Sequence, residues 1–77
     1  MNASAERYDV RLDGRSLVAQ PVGRLGALSV VQRELGRNAR ENTFTSLVVV
    51  ESETYECRAC WVRTARGVMR EAVPGWL

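Results

Sequence analysis

The sequence predicts an α+β domain: a small antiparallel sheet with one helix packed on one face, in the order ββαβββ. Three observations predict it. Arg7 to Leu12 alternates polar and apolar residues up to an Asp13-Gly14 pair. Val22 to Leu35 carries apolar residues at spacings of three and four, the signature of a helical face. Thr43 to Glu51 is rich in β-branched residues around Leu47–Val50, the composition of a packed strand.

The elements follow in order. Asp13-Gly14 suits a two-residue type I′ loop, because both central positions need positive φ. Strands are therefore expected at about 6–12 and 15–20. Pro21 stops the second strand, since it cannot donate to a ladder, and fits the first turn of a helix. Val22, Leu25, Leu28, Val31 and Leu35 trace the face of a helix over about 22–35, with Gly36 as its C-cap. Residues 36–42 lack periodic apolar content and read as a polar loop or a frayed extension of the helix. A strand at about 43–51 should bury Val48 to Val50, and Tyr55 to Thr64 is its antiparallel partner. In strict alternation Tyr55, Cys57, Ala59 and Trp61 share one face, and Glu56, Arg58, Cys60, Val62 and Thr64 the other. Ala65-Arg66-Gly67 reads as a three-residue hairpin loop leading to a last strand at 68–73, with a short helix as the alternative there. Pro74-Gly75 ends it before a Trp76-Leu77 tail.

The chain has 77 residues, enough for a single domain over 1–77 with one small core. It has no histidine, which removes the commonest general base and metal ligand. No lysine is present either, so serine and threonine have no evident activating base, and neither a phosphate loop nor a dinucleotide glycine pattern occurs. A non-enzymatic protein without a cofactor is expected. The polar N-terminus does not read as a signal peptide, and no apolar run approaches the length of a membrane span. The expectation is a cytoplasmic protein with no membrane partner.

Cys57 and Cys60 form a CxxC. A zinc site needs four ligands, and a thioredoxin-like site places its pair at a helix start. On a strand, residues three apart point to opposite faces. The expectation is therefore two separate thiols, neither bridged nor metal-binding in a monomer.

Charge patterning is more informative. All 11 basic residues are arginine, against 9 acids, for a net charge of +2. Glu51, Glu53 and Glu56 cluster around one turn, whereas Arg58, Arg63, Arg66 and Arg70 follow without an intervening acid. Arg37 and Arg40 add two more after the helix. Forked guanidinium donors are best satisfied by carboxylates or phosphates. Solvated strand edges are the plainer reading of the same charges. Trp61 lies among these arginines, either as core or as the aromatic half of a hot spot. Trp76 either folds back on the sheet or anchors a partner. Arg58, Arg63, Arg66, Arg70, Arg37, Arg40, Trp61 and Trp76 are thus the candidate partner-binding residues. An acidic protein surface is the expected partner, with nucleic acid and a second copy of the chain as alternatives.

A single domain of this length, a hairpin, one helix and a short meander of Leu47–Val50 with Tyr55–Val62 together resemble the small α+β anti-CRISPR proteins of phages and mobile elements. The resemblance is one of architecture along the whole chain and carries over no functional residue. It implies a non-enzymatic inhibitor acting in the host cytoplasm, occluding a surface of Cascade or a Cas effector. Many such inhibitors are acidic DNA mimics, and a net charge of +2 departs from that pattern. It points instead toward an acidic patch on a protein subunit, or toward nucleic acid.

Overall fold

Asp13 and Gly14 close the first hairpin with φ of 51° and 84°, the paired positive φ that a type I′ loop requires. The structure, a computed structural model, describes residues 6–41 and 45–77, and the side chains of residues 38–41 fall outside that description. Strand β1 is Tyr8–Leu12 and β2 is Arg15–Ser16, much shorter than the expected 15–20. Beyond it the Leu17 N–H still donates to the Val10 carbonyl at 2.7 Å, and the Ser16 hydroxyl lies against the Asp9 carboxylate and the Val18 carbonyl. Val22 then returns to β1 as an isolated bridge, exchanging both backbone hydrogen bonds with Tyr8 at 2.8 and 2.9 Å.

That bridge holds Val22 extended, so Pro21 does not begin the helix. Helix α1 is Arg24–Glu41. It runs through Gly36, which is not its cap, into a segment of helix-favouring arginine, alanine and glutamate. The buried face also differs from the expected one. Ala27, Val31 and Glu34 are buried, whereas Leu25 is 77% exposed. At 100° per residue, a run of three-residue steps drifts 60° backward each time. Leu25 therefore lies on the far side of the helix from Ala27 and Val31, and Leu28 and Leu35 flank the buried stripe.

β3, Ser46–Glu51, inserts between β1 and β4 to give the sheet order β2-β1-β3-β4-β5, with every pair antiparallel. Residues 43 and 44 of the expected strand lie outside the described residues. Val49 and Val50 are buried as expected and Leu47 is fully buried with them, whereas Val48 is half-buried. β4 is Cys57–Thr64 and β5 is Gly67–Ala72, so the last segment is a strand. Tyr55, expected in β4, has φ 62° and belongs to the preceding turn. Thr64 pairs with Gly67, which shortens the hairpin loop to Ala65-Arg66.

The core gathers Tyr8, Val10, Ala27, Val31, Leu47, Val49, Ala59, Trp61 and Trp76. It lies between α1, β1, β3 and the inner half of β4. Every residue of β5 is exposed. The β4–β5 hairpin thus extends beyond the cover that the helix and the C-terminal tail provide.

Candidate binding surface

The site is organised by one irregularity. Val49 lies opposite Ala59, but Val50 lies opposite Cys57, so Arg58 is an extra residue on β4. A β-bulge of this kind breaks the strict alternation of side chains and re-aims the bulged residue.

Arg58 is therefore not an outward-facing cation. Its Nη2 and Nε donate to the two carboxylate oxygens of Glu6 at 2.9 and 3.2 Å, and its Nη1 donates to Glu56 Oε1 at 3.2 Å. The Tyr8 hydroxyl donates to Glu6 Oε1 at 2.6 Å. Hydrogen bonding to Arg58, seconded by Tyr8, holds the Glu6 carboxyl below its ordinary range. The same bonds to Glu6 and Glu56 raise Arg58. Burial, followed by the Glu6 bond, raises the Tyr8 phenol. Arg58 thus fastens β4 to the chain entering β1, with its bonding capacity largely satisfied inside the molecule.

Both tryptophans are also internal, each 6% exposed. Trp61 lies in the core opposite Arg70. Trp76 folds back, its carbonyl accepting from Arg24 Nε at 2.6 Å and its ring lying 5.6 Å below the Arg24 guanidinium. Its indole N–H is buried, with no hydrogen-bond partner of good geometry among the described residues.

The remaining arginines divide by place. Arg63 is half-buried opposite Val68 on β4, Arg66 sits at the hairpin tip, and Arg70 is on β5. The hairpin brings these three together. Arg37 is exposed on α1, away from the hairpin in the chain, and the Arg40 side chain lies outside the described residues. The acidic tip is partly structural as well. Glu51 is buried, with Oε1 accepting the backbone N–H groups of Glu53 and Thr54 at 3.1 and 2.8 Å. Those bonds, Thr54 foremost, keep its carboxyl below the usual glutamate range.

The apolar part of this surface is absent from the residues expected to bind a partner. Val62, Val68 and Met69 are 38%, 45% and 59% exposed, and Met69 stands directly opposite Val62. A signal was available: Val68 and Met69 are adjacent, and adjacent strand residues point to opposite faces, so one helix on one face cannot cover both. Among the described residues no group of three or more histidine, cysteine, aspartate or glutamate side chains is placed to hold a metal, and no helix is long and apolar enough to cross a membrane. No family model, curated protein or solved structure matches the chain.

Proposed function

We propose that the chain is a small non-enzymatic binding protein, an inhibitor or adaptor, that docks an acidic protein partner along β5. The observation that supports this reading is the state of that strand. β5 is hydrogen-bonded to β4 on one side only, and all six of its residues are exposed. An uncovered edge offers a row of backbone donors and acceptors to an added strand. Arg66 and Arg70 supply forked donors for carboxylates beside that edge, and Val68 and Met69 supply apolar contact. Under the resemblance to anti-CRISPR proteins, the acidic surface belongs to a subunit of a Cas effector.

The test places a photo-crosslinking residue at Met69 and, as a control, at Leu25 on the outer face of α1. The reading expects a protein adduct from position 69, retained after nuclease treatment, and none from position 25. An adduct removed by nuclease would make the chain a nucleic-acid-binding module, and an adduct of twice the chain's mass would make it self-associating. Crosslinking from position 25 alone would overturn the docking surface.

A further inference from the structure

The bulge at Arg58 has a second effect, on the two cysteines. Cys57 lies opposite Val50 and Cys60 opposite Val48. The three-residue separation in sequence thus becomes two positions in register, and residues two positions apart on a strand share a face. Both thiols are free and line one cleft of about 580 Å³ with Arg58, Arg70, Glu71, Ala72 and Val73. This corrects the expectation of two thiols on opposite faces.

We propose that Cys57 and Cys60 form a two-thiolate site for a soft monovalent cation, copper(I) above all. Two register positions along a strand put their α-carbons on the order of 7 Å apart. That lies at the upper limit for a disulfide, whose α-carbons are usually within about 6.8 Å. A bridging ion relaxes the limit, because two metal–sulfur bonds of about 2.3 Å each hold the sulfurs well apart. Thiolate softness selects copper(I) over hard cations. Two ligands leave zinc's preferred four-coordinate shell incomplete, whereas a monovalent soft ion accepts two.

On binding, each thiol releases its proton to solvent and each sulfur donates one electron pair. The metal stays monovalent, and the two thiolates with one copper(I) carry a net charge of −1. The Arg70 guanidinium lining the cleft offsets that charge and Glu71 opposes it, while Arg58 is already paired with Glu6 and Glu56. Partial burial, with lesser contributions from Cys60 and Glu71, raises the Cys57 thiol above its ordinary value.

The experiment is a copper(I) titration of the full chain under a reductant that does not bind copper, in competition with a chromogenic copper(I) chelator. The expected result is one copper per chain and a thiolate-to-copper charge-transfer band in the ultraviolet. Cys57→Ser and Cys60→Ser should each lose more affinity than the roughly 10–100-fold that outer partners of a metal contribute. Circular dichroism checks that each variant folds. Cys57 is exposed, so Cys57→Ser carries the test if the half-buried Cys60→Ser melts early. Unchanged affinity in Cys57→Ser, no uptake by the native chain, or half a copper per chain with doubling of mass would each overturn the site.

Discussion

Tyr8 and Trp76 meet edge to face, with ring centroids 5.3 Å apart and an interplanar angle of 82°. The contact joins the first residue of β1 to the C-terminal tail. It also lies beside the Glu6–Arg58 link, because the Tyr8 hydroxyl donates to Glu6. Both ends of the described chain are thereby fastened over the same end of the sheet.

Trp76→Ala should consequently destabilise the fold by about 3–5 kcal/mol, the usual cost of truncating a buried tryptophan. Removal of Leu77, which is 47% exposed, should change stability by no more than about 0.5 kcal/mol. Chemical denaturation of the two variants checks the pair.

Stability should also fall in acid. Glu6 and Glu51 both have lowered pKa values in the folded chain. A carboxylate of this kind contributes stability that is present above its unfolded pKa and is lost as pH falls through the folded one. The melting temperature should therefore decline as pH drops below the ordinary glutamate range, and Glu6→Gln should flatten that decline. Melting curves across that interval test the sign. Arg58→Ala should lower the melting temperature at neutral pH, because its partners are internal.

The helix face supplies a paired test. Leu25→Glu should leave the melting curve nearly unchanged, since the side chain is 77% exposed. Val31→Ala should cost about 2 kcal/mol through lost burial and a residual cavity. Equal effects in thermal denaturation would contradict the placement of α1.

Much of this was legible in the residues. Asp13-Gly14 announced its turn because few dipeptides tolerate two positive φ angles in succession. The β-branched stretch before Glu51 announced the central strand. The helix existed where its periodicity lay, but evenly spaced leucines pointed to the wrong stripe because a three-residue step does not match the helical turn. The bulge at Arg58 left no mark in the sequence. It arises from how Val49 and Val50 pair with Ala59 and Cys57 across the sheet. Both the internal pairing of Arg58 and the meeting of the thiols follow from it. The candidate surface was thus half visible: Arg63, Arg66 and Arg70 as a basic cluster, without the exposed edge that carries them.

Asp13 links turn and sheet. Its Oδ1 accepts the backbone N–H groups of Thr45 and Ser46 at 2.9 and 2.8 Å while its own φ is positive. Asp13→Ala should cost about 1–3 kcal/mol through two stranded donors and an unfavourable backbone conformation. Asp13→Asn should recover most of it, since asparagine keeps the acceptor and tolerates the left-handed region. Urea denaturation of both variants gives the comparison.

The claim that β5 is the docking edge is tested most directly by charge reversal at Arg70 on that strand and Arg66 at the hairpin tip beside it. The measurement compares proteins captured from a lysate of the source cells by the native chain and by Arg66→Glu/Arg70→Glu, with Arg15→Glu on the opposite edge as control. All three are first matched for melting temperature. A nuclease-resistant protein should be captured by the native chain and by Arg15→Glu. The double variant should lose it, each desolvated arginine contributing about 2–5 kcal/mol. Equal capture by the native chain and the double variant would contradict the claim.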